Sequence, residues 1–239
     1  MPSFQATMAT SYQLRRGQIE TYFDRTAADA WKKLTSDAPL GRIRATVRAG
    51  RDEMRRTLLS WLPQDMTGLR LLDAGCGTGV LTVEAARRGA HVVAIDLSPT
   101  LVQHARENLP SDLGSGRVEF LSGDMLADNL GVFDHVVAMD SLIHYRATDS
   151  VAALARIARR TSRSILFTFA PLTPPLAVMI TVGRLFPRGD RSPAIEPVGE
   201  KRLAGLLARD SALIDWRQGQ TKRIESGFYK SQAVELLRI

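Results

Sequence analysis

The chain has 239 residues, 44% of them hydrophobic, and a single cysteine, Cys76. It is long enough for one sizeable core, and the lone cysteine excludes an intrachain disulfide framework or a multi-cysteine metal cluster. A net charge of +7 and a pI near 10.1 suggest an anionic partner, but aromatic residues reach only 6% and no lysine-rich tail exists, which disfavours nucleic acid.

Residues 11–35 place Tyr12, Ile19, Tyr22, Phe23, Ala27, Ala30, Trp31 and Leu34 at three- and four-residue intervals, predicting one or two helices with a common apolar side. A second helix is predicted from Arg42 to Leu62, with Gly50 a weak point and Pro63 a stop. From Leu69 the pattern alternates. Strands are expected at "LRLLDAG", "HVVAIDLS", "RVEFLSGD", "FDHVVAMD" and "SRSILFTFA". Helices are expected at "LTVEAARRG", at "PTLVQHARENL" behind a Ser98 cap, and over Thr148–Arg160. Short strands alternating with helices argue for a parallel sheet covered on both faces. The proline-rich stretch 170–198 breaks the rhythm, with one short helix expected over Leu176–Phe186. A helix from Gly199 to Arg209, a strand "ALIDWR" and the segment "GFYKSQAVELLRI" complete the chain.

The N-terminus lacks the apolar centre of a signal peptide, and the longest apolar run, Pro175–Gly183, is shorter than the roughly 20 residues that span a bilayer. A cytoplasmic protein is expected, with peripheral membrane attachment open.

The strongest local signal is "LLDAGCGTG". A strand carries Asp73 to its end, and Gly75, Gly77 and Gly79 let the backbone approach a ligand ahead of a helix N-terminus. Asp96 ends the second strand, where its carboxylate can accept hydrogen bonds from two ribose hydroxyls. A dinucleotide site is disfavoured because Leu81 replaces the last glycine of G-x-G-x-x-G and Asp73 would repel a pyrophosphate. The D-x-G-x-G-x-G pattern instead resembles class I S-adenosylmethionine methyltransferases. That resemblance implies a Rossmann-like, mostly parallel seven-stranded sheet of order 3-2-1-4-5-7-6 with strand 7 antiparallel, plus N-terminal helices and an insert after strand 5. It also implies Asp124 against the adenine amino group and Met125 behind the ring. Leu97 and Met139 complete the expected cofactor set, with Cys76 a small packing residue. Neither a second cysteine for cytosine C5 chemistry nor the Asp/Asn-Pro-Pro-Tyr motif of amino-group DNA methyltransferases is present.

Over nearly the whole chain, "YFDRTAADAWKKL", "RATVRAGRDEMRRTLLSWLP", "LLDAGCGTG", "MDSLIHY", "LFPRGDRSP" and "GFYKSQ" resemble the magnesium-protoporphyrin O-methyltransferases of bacteriochlorophyll synthesis. The resemblance implies methyl transfer to the C13 propionate of magnesium-protoporphyrin IX, with His144 and Tyr22 at positions regarded as catalytic. Magnesium would arrive inside the porphyrin, with no metal held by the protein. It also suggests contact with the large porphyrin-carrying subunit of magnesium chelatase and with photosynthetic membranes.

A large apolar diacid wants a broad apolar pocket with a few cations. Phe23, Trp31, Tyr145, Arg184, Arg188 and Arg191 are the expected porphyrin-side residues: Phe23 and Trp31 in a helical lid 1–40, Tyr145 after strand four, and the arginines in an insert 170–198, within a methyltransferase domain 41–239. Two alternatives stay open: an O-methyltransferase for another small apolar acid or phenol, which a substrate screen separates, and a porphyrin-binding protein that yields no S-adenosylhomocysteine. For His144 the bland alternative is a packing histidine at a helix entry. His91, His104 and His135 read as structural or surface residues.

Overall fold

The computed structural model describes residues 4–26, 41–172 and 195–239. The expected helix Leu176–Phe186 and the residues Trp31, Arg184, Arg188 and Arg191 lie outside them. Seven strands form one sheet: β1 Arg70–Ala74, β2 His91–Asp96, β3 Arg117–Ser122, β4 Phe133–Ala138, β5 Thr161–Phe169, β6 Trp216–Ser226 and β7 Tyr229–Arg238. Their order is β3-β2-β1-β4-β5-β7-β6, and β7 runs antiparallel to both β5 and β6 while the other ladders are parallel. This is the expected class I methyltransferase sheet.

The strands between β2 and β5 are apolar without alternation because helices cover both faces. Leu71 and Leu72, adjacent in β1, point into different cores. Leu72 joins Val136, Ile165 and Phe167 beneath α5 (Ala147–Ala158). Leu71 joins Met54 and Leu58 of α2 (Arg42–Ser60), Ala85 of α3 (Val80–Arg87) and Val102 of α4 (Pro99–Glu107). Ser98 caps α4 as its sequence predicts: its Oγ accepts from the Leu101 N–H at 3.2 Å, with Pro99 in the first turn. At the N-terminus, α1 (Phe4–Thr21) runs into a single wide turn, Tyr22–Thr26, and α6 (Glu200–Arg209) follows the insert.

Two expectations need correction. "ALIDWR" is not a strand throughout: Ser211–Leu213 is a 3-10 turn capped by Asp210, and β6 starts only at Trp216 and continues through Ser226. Most of β6 is polar because it is a sheet edge paired with β7 alone, so it carries little of the apolar pattern that marks a buried strand. Gly50 does not weaken α2, which runs unbroken from Arg42 to Ser60. A Cβ at Gly50 would stand 2.5 Å from Cδ1 of Tyr229, so the glycine seats that ring against the helix. Helix propensity alone predicts that Gly50→Ala stabilises by about 1 kcal/mol. Here the sign should reverse, with a loss of about 1–3 kcal/mol from overpacking, read by urea denaturation.

Candidate active site

The C-terminal ends of the parallel strands open on a cleft whose empty space, open solvent at its mouth included, is about 1110 Å³. On the β1 side, Gly75, Gly77 and Gly79 all adopt positive φ, at 88°, 55° and 79°. The turn is tied to β2: the N–H groups of Gly75 and Cys76 both donate to the Ile95 carbonyl, at 2.8 and 3.1 Å. Gly77 N–H donates to Asp96 Oδ2 at 2.9 Å, and Ser98 N–H donates to Asp96 Oδ1 at 2.9 Å. Asp96 is thereby aimed by the backbone of two turns. Burial raises its pKa despite these bonds.

Asp73 is fully enclosed and accepts the Thr82 hydroxyl at 2.6 Å. Burial, with a contribution from nearby Asp96, pushes its carboxyl up to about 7 against the Thr82 bond. Cys76 lies beside both aspartates, and burial drives its thiol pKa well upward. A thiol raised in this way stays protonated at neutral pH, the opposite of the lowered pKa that activates a cysteine nucleophile.

The β3 end differs from a simple open strand end. Asp124 Oδ1 accepts the Tyr12 hydroxyl at 2.8 Å and the Leu126 N–H at 2.9 Å, and Oδ2 pairs with Arg16 at 3.1 Å. The Tyr12 ring stacks on Tyr145 with centroids 4.8 Å apart and planes 16° from parallel. Burial, then Tyr145 and Asp124, raise the Tyr12 pKa far beyond physiological pH, so this phenol donates. Ser11 to Asp149, at 2.9 and 3.0 Å, and Arg15 to Glu196, at 2.6 Å, fasten the same helix to the start of α5 and to the segment that leads into α6.

Beyond β4 come Met139, Asp140 and Ser141, then a 3-10 turn Leu142–His144. His144 is 6% exposed, and its ring meets Phe23 edge-on at 5.8 Å. Phe23 in turn meets Tyr22 edge-on at 5.2 Å.

Most residues singled out in the sequence share the cleft wall: Asp73, Gly75, Cys76, Gly77, Asp96, Leu97, Asp124, Met125, Met139, Phe23, His144 and Tyr145. Gly79 and Tyr22 do not: Gly79 is the N-cap of α3, and Tyr22 reaches the wall only through Phe23. His91, His104 and His135 are also off the wall, and His135 bonds Ser164 at 2.7 Å. The sequence reading missed Tyr12, Asp140 and the row Arg48, Arg51 and Arg55 on the wall. Their i, i+3, i+7 spacing in "RAGRDEMR" was the available signal for the arginines.

Two family models match in tandem. One described as a methyltransferase domain covers residues 71–163, from the glycine turn past His144, and one described as the magnesium-protoporphyrin IX methyltransferase C-terminus covers 138–238. The magnesium-protoporphyrin O-methyltransferase of Rhodobacter capsulatus is 47% identical over 229 residues, covering 95% of this chain and 99% of the relative. The chain belongs to the magnesium-protoporphyrin O-methyltransferase family. A Synechocystis member is 29% identical across 92% of this chain and 95% of its own length. The crystal structure of the Synechocystis magnesium protoporphyrin IX methyltransferase with bound SAH superposes with a TM-score of 0.81 at 27% identity, covering 94% of this chain and all of that one. The two family models overlap on the turn that carries His144, where the shared cofactor architecture meets the family's own C-terminal half.

Proposed function

We propose that this chain transfers a methyl group from S-adenosylmethionine to the C13 propionate of magnesium-protoporphyrin IX, giving the 13-monomethyl ester and S-adenosylhomocysteine. The observation that carries the reading is one cleft lined both by the glycine turn with its strand-end aspartates and by the His144 turn, in a chain of this family.

The residues fit the cofactor. A carboxylate offers about four acceptor positions, and each Asp96 oxygen has taken one backbone N–H, which leaves capacity for two ribose hydroxyls. Asp124, with three bonds received, retains a position on Oδ2 for the adenine amino group while anchoring Tyr12 and Arg16. Asp73 is a buried acid that a ligand ammonium group would ionise. The bound cofactor supplies an electrophilic methyl on a sulfonium, which leaves as a neutral thioether.

A propionate is already ionised at neutral pH, so the residues need not supply a strong base. Their work is alignment and exclusion of water. His144 orients the propionate or takes a residual proton from it, and Tyr22 donates a hydrogen bond as residues 1–40 close over the pocket. Phe23 and Tyr145 are the cleft residues assigned to the macrocycle, and Trp31, Arg184, Arg188 and Arg191, the other candidates, lie outside the described residues. Transfer of so apolar a product favours contact with the porphyrin-carrying subunit of magnesium chelatase and with a membrane surface, which the net charge of +7 would assist. No helix among the described residues is long and apolar enough to cross a membrane.

Incubation with magnesium-protoporphyrin IX and S-adenosylmethionine should add one methyl, located on the C13 propionate by mass and NMR spectra. Intact binding of S-adenosylhomocysteine without methylation would overturn the substrate.

A pH effect follows from Asp73. Its folded pKa of about 7 lies above the unfolded value near 4, so ligand-free stability falls as pH rises between them. An ammonium group bound nearby lowers that pKa again. Below about pH 7, cofactor binding should therefore release up to one proton and weaken as pH falls. Calorimetry in buffers of different ionisation enthalpy should show this release, and Asp73→Asn should abolish it.

A further inference from the structure

We propose that Arg51 is a carboxylate-binding residue of the cleft and that Asp140 is the positioning residue that aims it. Arg51 lies on the cleft wall, and its Nη1 meets Asp140 Oδ2 at 2.6 Å, with the two side chains 17% and 5% exposed. Asp140 has φ 55°, a left-handed conformation that costs a non-glycine residue of order 1 kcal/mol and persists only where the surroundings over-determine it.

The surroundings do so here. Tyr229 donates from its hydroxyl to the carboxylate, 3.1 Å from either oxygen, and Ser231 and Thr168 reach Oδ1 at 3.3 and 3.2 Å. The Asp140 N–H donates to the Thr168 hydroxyl at 2.8 Å. Strands β5 and β7 thus fix the carboxylate, and Tyr229 is itself seated on Gly50, the residue before Arg51. An aspartate set this firmly fixes the plane of the guanidinium it holds.

A planar guanidinium fork matches a carboxylate better than any other cation in proteins. Arg55, on the same helix face, pairs with two carboxylates, Asp52 at 2.9 Å and Glu84 at 2.7 Å. Partial compensation of Arg51 by Asp140 has a chemical use: a carboxylate can be held without the tight ion pair that would blunt its oxygen as a nucleophile. The inference rests on the proposed reaction, both of whose reactants carry carboxylates: the methionyl group of the cofactor and the propionates of the acceptor.

The test is binding by Arg51→Gln, with paired ligands that differ in the carboxylate. If the source is the cofactor, affinity for S-adenosylhomocysteine falls at least tenfold while 5′-methylthioadenosine, which lacks the amino-acid end, binds as in the wild type. If the source is the acceptor, affinity for magnesium-protoporphyrin IX falls at least tenfold while its dimethyl ester is unaffected. Unchanged affinity for both acids, or equal losses for acids and carboxylate-free controls, overturns the proposal. Should the glutamine variant not fold, Arg51→Lys keeps the charge without the fork and should show an intermediate, equally selective loss.

Asp140→Asn should reproduce that selective loss in the wild-type background and add nothing to Arg51→Gln. An Asp140 with only a structural role would cost the same in both backgrounds. These are equilibrium measurements on unreacted ligands. A wild type that fails to methylate the porphyrin would therefore sink the proposed reaction while the S-adenosylhomocysteine pair still decided Arg51.

Discussion

Gly75→Val should reduce affinity for S-adenosylhomocysteine by about 100-fold or more, because the substitution is blocked twice. The backbone at Gly75 has φ 88°, which costs an L-residue about 1–2 kcal/mol and a β-branched one more. A Cβ there would also lie 2.5 Å from Cβ of Ser141, a distance at which one of the two turns has to move. If the glycine turn moves, it strains the bonds from Gly75 and Cys76 to Ile95 at the end of β2, and with them the Gly77 N–H that aims Asp96. If the Ser141 turn moves, His144 goes with it, three residues on. Either adjustment damages the cleft. Gly68→Ala is the control, since Gly68 also has positive φ, 78°, but nothing lies within 4 Å of its Cβ position. It should cost about 1 kcal/mol of stability and leave the ligand affinity intact. Calorimetric titration beside thermal melting separates the two; a Gly75→Val chain that binds as tightly as the wild type would remove the glycine turn from the cofactor site.

The sequence made the centre of the sheet legible because burial on both faces imposes apolar runs on β1, β2, β4 and β5. Asp73, Asp96 and Asp124 were legible as a set: each alone reads as a cap or turn residue, but three at successive strand ends beside a glycine turn point to a shared ligand. Asp140 also ends a strand, but its meaning lies in partners that no local pattern announces: Arg51 and Tyr229 each stand 89 positions away. Tyr12 presents the same difficulty. Its spacing marks it as a core residue of an amphipathic helix, and its ring is buried as that predicts. Its hydroxyl reaches Asp124 across 112 positions and makes it part of the site as well. The arginines of α2 read as an ordinary charged helix face, since helical periodicity shows which residues share a side but not whether that side meets water or a cleft. At the other edge of the sheet β6 stayed hidden because its outer flank pairs with no strand among the described residues.

His144→Ala should lower the rate of porphyrin methylation by about 100-fold, within the 10²–10⁴ range of a positioned acid–base group, and leave affinity for S-adenosylhomocysteine unchanged. The separation follows from the architecture. The three aspartates proposed above for the cofactor stand at or just beyond the ends of β1, β2 and β3, whereas His144 stands beyond β4 with its ring against Phe23 of the N-terminal segment. The two roles proposed for His144 diverge in a second variant. His144→Gln keeps a hydrogen-bonding group of similar reach but cannot titrate. If the imidazole only holds the propionate still, glutamine restores most of the single-turnover rate and the pH profile of the wild type is flat near neutrality. If it takes a proton, glutamine is as slow as alanine, and the single-turnover rate of the wild type depends on pH where that of the glutamine variant does not. A carboxylate ionised in water gives a base nothing to do, so proton transfer requires that the closed pocket first raise the acceptor's pKa by desolvation. In the lid proposed above, α1 is held to the sheet by Tyr12 and Arg16, which meet on Asp124. Tyr12→Phe should thus loosen the lid: with water admitted the propionate stays ionised, and, if His144 is the proton acceptor, whatever rate remains should lose its dependence on pH.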